Sequence, residues 1–287
     1  MYIRDLYKPG KTVFSLEIFP PKKESPAENL LNILERVTNT KPDFVSVTYG
    51  ASGNTETKKH SQVIAELLKN QYGTEPLFHL TCINNSKEQI QNILDDLESA
   101  QIQNILALRG DIPKNEKQVC NDYSYAVDLI REIKKHGDFC VGAACYPEGH
   151  ISEEIHSRNY DVLKEKEDAG ADFFISQLFF ENKHFLNFRE KAVKSGVKKP
   201  LVAGIMPILN KNQVNRMIFM CGVSLPSEIV KILNRYEDSP EDIRLAGIEY
   251  ALKQAEKLIR DGVDGIHLYT MNQPDIAEMG IERFKSI

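Results

Sequence analysis

Asn104-Ile105-Leu106-Ala107-Leu108-Arg109-Gly110-Asp111 is the stretch whose reading decides the fold. Its first five residues form a short apolar run, the pattern of a strand buried on both faces of a sheet. The run stops at a cation, a glycine and a carboxylate, with Pro113 close behind. In a parallel α/β fold, ligands bind beyond the carboxyl ends of the strands, so Arg109 and Asp111 would face a ligand. Gly110-Asp111 would equally serve as a plain turn before a helix. The flanking sequence separates the two readings only if it repeats the pattern.

It does repeat it. Comparable β-rich runs fall at 12–18, 44–48, 77–82, 140–144, 173–177, 201–205 and 265–268. Most of the intervals are about 30 residues, the length of one βα unit. Charged amphipathic stretches lie between them. Ile90, Ile93, Leu94 and Leu97 make one apolar helix face, and Ala126, Leu129, Ile130 and Ile133 another. Small-residue turns at Asp168-Ala169-Gly170-Ala171 and Asp261-Gly262-Val263 lead into the next strand. The long 205–266 interval must hold extra helices, divided at Pro226 and Pro240. The expectation is an α/β protein with a single (β/α)8 TIM barrel, one domain over residues 1–287. A doubly wound open sheet is the alternative. It would normally carry G-x-G-x-x-G after its first strand, but here that strand runs into Glu17-Ile18-Phe19-Pro20-Pro21. There is no glycine-rich phosphate loop of the Walker type either.

The bulk properties narrow the class further. A chain of 287 residues with 41% hydrophobic content can bury a barrel-sized core without staples. The net charge is -5 with the two signs interleaved, which argues against a nucleic-acid partner. Met1-Tyr2-Ile3-Arg4-Asp5 opens no signal-like apolar segment, and no apolar run approaches the roughly 20 residues that span a bilayer. Cys82, Cys120, Cys140, Cys145 and Cys221 show no C-x-x-C spacing. These features predict a soluble, reduced, cytoplasmic protein.

Polar residues gather where the strands end. Glu17, Thr48, His79, Arg109 with Asp111, Tyr146 with His150, Gln177 and Tyr269 follow the successive runs. In a barrel these ends meet on one face, so the residues could surround one ligand. Taken singly, Glu17 reads as a surface carboxylate and His79 as a satisfied core histidine; together they make coincidence less plausible. A metal site would draw on His79, His150, Glu17 and Asp111, but no His-x-His pair sits on a strand, and no catalytic metal is expected. A Schiff-base aldolase would need a lysine within a strand, and the strands carry none away from their edges. The chemistry left is cofactor-borne.

A set of motifs in order resembles one family. They are Ser15-Leu16-Glu17-Ile18-Phe19-Pro20-Pro21, Phe44-Val45-Ser46-Val47-Thr48-Tyr49-Gly50-Ala51, His79-Leu80-Thr81-Cys82, and Ala107-Leu108-Arg109-Gly110-Asp111. Tyr146-Pro147-Glu148-Gly149-His150, Asp168-Ala169-Gly170-Ala171 with Gln177-Leu178-Phe179-Phe180, and His267-Leu268-Tyr269-Thr270 complete it. The chain is similar to methylenetetrahydrofolate reductase of one-carbon metabolism, in the short bacterial form without a regulatory domain. The resemblance implies a (β/α)8 barrel that holds FAD. It also implies a ping-pong reaction: NAD(P)H reduces the flavin and leaves, then methylenetetrahydrofolate binds the same face and leaves as 5-methyltetrahydrofolate.

The resemblance also implies roles. Glu17 would be the general acid that protonates the departing folate nitrogen. It must then hold a proton near neutral pH, which an apolar pocket containing Phe14 and Phe19 would favour. Asp111 would stabilise the iminium cation that ring opening leaves. Arg109, Gly110, Asp111, Thr48, His79, Tyr125, Ala144, Tyr146, His150, Asn159, Lys166 and Tyr269 match flavin-contacting positions. Gln177, Gln213 and Met217, with Glu17, match substrate positions. The chain departs from the family pattern in places. Asn159 stands where Asp is usual, and Met217 where some members carry a stacking Phe. Gln273 replaces an Arg that could meet a glutamate tail. Cys145 is an added small residue, read as packed rather than redox-active. The expected partners are the folate and NAD(P)H, with a homo-oligomer, and a small companion subunit stays open. Two alternative functions remain: a flavin-carrying subunit fed by a partner protein, and another FAD barrel related to proline dehydrogenase.

Overall fold

A computed structural model describes residues 1–21, 27–48, 55–83, 85–110, 122–150, 159–284 and 287. Eight parallel strands close into a barrel in sequence order. They are β1 (Val13–Ile18), β2 (Phe44–Val47), β3 (Pro76–Thr81), β4 (Asn104–Leu108), β5 (Cys140–Cys145), β6 (Phe173–Ser176), β7 (Leu201–Ile205) and β8 (Gly265–Tyr269). Every expected strand is present: β4 and β7 keep the expected ends, and the ends of the others shift by at most one residue. β1 and β8 close the ring, with Ser15 beside His267 and Glu17 beside Tyr269.

Helices α1 (Ala27–Asn39), α2 (Thr55–Asn70), α3 (Lys87–Ser99), α4 (Ala126–His136), α5 (Asn159–Asp168) and α6 (Asn182–Lys194) follow β1 to β6 in turn. The apolar faces foreseen on α3 and α4 are the buried ones: Ile90, Leu94 and Leu97, and Ala126, Leu129, Ile130 and Ile133. The interval after β7 holds α7 (Lys211–Cys221), α8 (Ser227–Arg235) and α9 (Pro240–Arg260). Pro226 precedes α8 and Pro240 opens α9, where a missing N–H costs nothing. α10 (Pro274–Phe284) follows β8.

Two apolar layers share the strands. Outward-facing Leu16, Val45, Phe78, Leu80, Ile105, Val141, Phe174 and Ala203 join the helices in the large core. Inward-facing Val13, Phe44, Leu77, Leu106, Phe173 and Val202 fill the lower barrel, and Ile3 plugs it from below. Asn104, the first residue of the fold-deciding stretch, is fully buried and holds this plug, its Oδ1 accepting from the Ile3 N–H at 2.8 Å. Above these layers the inner face turns polar. A third cluster, including Leu178, Ile208, Val214 and Ile229, lies under α7–α9.

Candidate active site

Glu17 ends the inner face of β1, and the strands beside it decide its surroundings. Its Oε2 lies 3.8 Å from His79 Nε2 on β3 and 3.6 Å from His267 Nε2 on β8. His267 is fully buried, with Ser15 Oγ 2.8 Å from Nδ1 and Ser46 Oγ 3.3 Å from Nε2. His79 is also buried, and its Nε2 finds no hydrogen-bond partner among the described residues. Burial pushes the His79 imidazole down to about 4; the Glu17 charge opposes that and His267 adds to it. His79 is therefore neutral at pH 7.

This corrects the expected pocket. Phe14 lies on the other face of β1 from Glu17, stacked on Phe284 of α10 at 5.0 Å, and Phe19 is 36% exposed. Side chains alternate across a strand, so a residue three positions from Glu17 cannot share its face. The imidazoles of His79 and His267, not the Phe14 ring, approach the carboxylate.

Tyr269 completes the inner rim of β8. Its hydroxyl donates to the Ser176 carbonyl at 3.0 Å, and its ring meets His267 edge-on at 5.2 Å. Burial raises the phenol well above its ordinary value, with the Glu17 charge in the same direction. A Cβ at Gly204 would lie 2.8 Å from this hydroxyl and 2.3 Å from the Ser176 carbonyl oxygen, so only glycine on β7 leaves room for the bond.

The other expected residues spread along the same rim. Thr48 continues β2 through its N–H to the Ile18 carbonyl at 3.0 Å. Arg109 leaves β4 with its guanidinium 5.8 Å from the Tyr125 ring, and its buried Nε has no hydrogen-bond partner among the described residues. Gly110 turns the chain at φ 85°, where a Cβ would be strained and would sit 3.1 Å from Thr81 Cβ. Tyr125 itself is exposed, just before α4. Asp111 lies outside the described residues, as do Tyr49, Gly50, Ala51 and Cys120.

α5 braces the end of β5. Lys166 Nζ donates to the Ala144 carbonyl at 2.8 Å and lies 5.7 Å from the Tyr146 ring. Asn159 Nδ2 donates to the Tyr146 carbonyl at 2.7 Å. His150 packs edge-on against Tyr146 at 4.7 Å. Cys145 is buried with its thiol pushed up to about 12 by burial, as suits a packed residue.

Beyond β6 and β7, Gln177 Oε1 accepts from the Leu178 N–H at 2.9 Å. Gln213 holds the loop before α7: its Oε1 accepts from Leu209 N–H at 2.7 Å and its Nε2 donates to the Pro207 carbonyl at 3.2 Å. Met217, half-buried on α7, packs against the third cluster. Gln273 Oε1 accepts from Arg244 Nη2 at 2.8 Å, so a cation from α9 stands beside the position where a local Arg was missed. The sequence reading did not single out His267, Ser15 or Ser46. Their signal was there: Ser15 with Glu17, Ser46 with Thr48 and His267 with Tyr269 each place polar residues two apart in an apolar run.

A closed parallel barrel with ionisable groups massed at the carboxyl ends of its strands belongs to the class of barrels that bind and transform a ligand at that face. Residues 2–285 match the family model described as methylenetetrahydrofolate reductase. The 5,10-methylenetetrahydrofolate reductase of Pectobacterium carotovorum is 35% identical over 268 residues, covering 93% of this chain and 88% of that enzyme. The Escherichia coli enzyme of that name is 33% identical, over 93% of this chain and 89% of its own length. The chain thus belongs to the methylenetetrahydrofolate reductase family, which sets aside a relative of proline dehydrogenase. Methylenetetrahydrofolate reductase (NADH) 1 of Zea mays is 37% identical over 95% of this chain, and the chain spans only 48% of it. A Clostridium thermocellum protein that binds two copies of 5-methyl-5,6,7,8-tetrahydrofolic acid shares the fold, at TM-score 0.69 and 13% identity, covering 99% of this chain and 96% of that one. Among the described residues, no helix is long and apolar enough to cross a membrane.

Proposed function

We propose that this barrel, acting as one catalytic domain, reduces 5,10-methylenetetrahydrofolate to 5-methyltetrahydrofolate with electrons from NAD(P)H, in ping-pong fashion through FAD. The observation that carries the reading is Glu17, a carboxylate at the strand ends within 3.8 Å of His79 Nε2 and 3.6 Å of His267 Nε2, where a proton donor to a folate nitrogen is needed. Plant relatives named for NADH favour that donor.

The rim suits a flavin dinucleotide. The buried Arg109 Nε and His79 Nε2, which have no hydrogen-bond partner among the described residues, are polar atoms that a ligand could satisfy. Thr48, His79, Arg109 and Gly110 would hold it from β2 to β4. Ala144, Tyr146, His150, Asn159 and Lys166 would hold it around β5, with Tyr125 and Tyr269 as further contacts; Asp111 is expected to contact it as well. The bound FAD would supply a two-electron carrier between the nicotinamide and the folate. Glu17 gives its proton to the departing folate nitrogen. Asp111 would stabilise the cation this opening creates, Gln177 and Gln213 orient the folate, and Met217 packs against it without stacking.

The test is flavin absorbance under anaerobic conditions. The purified chain is expected to be yellow, to bleach with NADH or NADPH, and to regain its colour with methylenetetrahydrofolate. A colourless protein containing about one zinc or iron per chain would overturn the flavin reading. A second reading, a flavin-carrying subunit beside a companion protein, draws on Phe219 and Met220 of α7, which are 81% and 51% exposed. Bleaching that needs an added protein instead of a nicotinamide would favour it.

A further inference from the structure

Within Tyr146-Pro147-Glu148-Gly149-His150, the residues at either end are expected to meet the flavin, while Glu148 between them has no part in the proposed chemistry. The stretch makes a β-turn. The Gly149 N–H donates to the Tyr146 carbonyl at 3.1 Å, Pro147 supplies the preset φ of the second position, and Gly149 takes φ 87°. The turn sends Glu148 to the loop between α7 and α8, where its Oε2 accepts from the Ser224 N–H at 3.0 Å. The side chain is only 9% exposed, and its Oε1 is buried with no hydrogen-bond partner among the described residues. His184 Nε2 stands 3.8 Å from Oε2, beyond hydrogen-bond reach. Among the described residues, the Ser224 N–H therefore makes the one hydrogen bond of this carboxylate.

The loop it grips ends a lightly seated helix. Of the residues of α7, all of them described, Val214 alone is buried. With so little packing, the tethers at its two ends decide where the helix stands. At the start, Gln213 ties it to Leu209 and Pro207. At the far end Gly222 closes the last turn at φ 67°, its N–H donating to the Ile218 carbonyl at 2.9 Å, and Ser224 follows two residues on. Val223 packs into the third cluster, but apolar contact is non-directional and a hydrogen bond is not.

We propose that Glu148 is a positioning residue for α7. It ties the end of the helix that carries Gln213 and Met217 to the turn that carries Tyr146 and His150, and so sets the folate-facing helix against the cofactor rim. The inference deepens the proposed function and rests on it for the assignment of α7 to the folate. With the tie cut, α7 stands in its docking position for only part of the time. Apparent folate affinity falls by that fraction, while the complex, once formed, reacts as before. The turn itself keeps its shape, since Asn159 Nδ2 and the Gly149 N–H still hold the Tyr146 carbonyl.

Glu148→Ala removes the acceptor, and Glu148→Gln keeps an acceptor oxygen of the same reach. In stopped-flow reoxidation of the reduced holoprotein, Glu148→Ala should raise half-saturating methylenetetrahydrofolate about tenfold, with the limiting rate and FAD affinity within about threefold of normal. Glu148→Gln should restore the half-saturation. Amide hydrogen exchange read by NMR should show the Ser224 N–H protected in the natural holoprotein and in Glu148→Gln, and exchanging at least about tenfold faster in Glu148→Ala. Should Glu148→Ala fail to fold, Glu148→Asp, one methylene too short for the bond, must move both readouts in the same directions. A fall in limiting rate at unchanged half-saturation, loss of FAD, or a Glu148→Gln as impaired as Glu148→Ala overturns the proposal. An unprotected Ser224 amide in the natural chain does so as well. The exchange measurement needs no folate, so a natural chain that methylenetetrahydrofolate cannot reoxidise, with Ser224 protected through Glu148, would count against the functional reading and leave the tie standing.

Discussion

Glu17 is reached by two histidines and not by the Phe14 ring, and its chemistry can be separated from any role in folding. Transfer of hydride from a nicotinamide to a flavin needs no proton on a folate nitrogen, whereas opening the folate ring does. Glu17→Gln keeps size and hydrogen bonding but cannot act as a carboxylic acid. Flavin reduction should stay within about tenfold of normal, while folate-dependent reoxidation drops about 10²–10⁴-fold. Stopped-flow absorbance of each half-reaction decides it; a parallel fall in both, with flavin loss, would make Glu17 a structural residue. Asp111→Asn should likewise slow the folate half more, by about 10²–10³-fold, because only that half develops a localised cation. Equal, small effects on both halves would leave Asp111 a turn residue. At this scale the sequence pointed to Glu17 but not to what surrounds it. The partners that orient His267 lie 252 and 221 residues away in the chain, and only barrel closure makes them neighbours.

The strands were legible because each is a short apolar run, and their order followed from the βα period. Which residues point inward was harder to see. Strands buried on both faces lack the apolar–polar alternation that marks a face, so Phe14 could be assigned to the wrong side. A device at the opposite end of the barrel was written in the sequence but not read. Asp43, Asp172 and Asp264 each stand just before a strand and accept from the first N–H groups of the preceding one: Phe14 at 2.8 Å, Val141 at 2.9 Å and Leu201 at 2.9 Å. These carboxylates seal strand starts far from Glu17. Asp264→Ala strands the Leu201 N–H and should cost about 1–3 kcal/mol. Denaturant unfolding should show that loss while both half-reactions of the folded variant keep their rates. A variant with normal stability but a slowed folate step would overturn the division between a stabilising end and a reacting end.

Placing a neutral histidine inside the barrel ties the stability of the whole molecule to pH. His79 is pushed from 6.5 down to about 4 by burial, so the native state takes up this proton less readily than the unfolded chain does. The unfolded state therefore binds more protons between these values, and stability rises with pH through that window. The contribution is whole above about pH 6.5, declines as the pH falls, and is exhausted near pH 4, for a total of about 3 kcal/mol. His79→Gln removes the titration while keeping an amide of similar reach. Unfolding free energies from denaturant titrations between pH 7 and pH 4.5 should fall more steeply for the natural chain than for the variant. The difference between the two slopes should vanish above pH 7. Matching slopes across the window would mean that His79 is protonated in the native state or open to water. Either finding would remove the neutral imidazole that stands 3.8 Å from the Glu17 carboxylate.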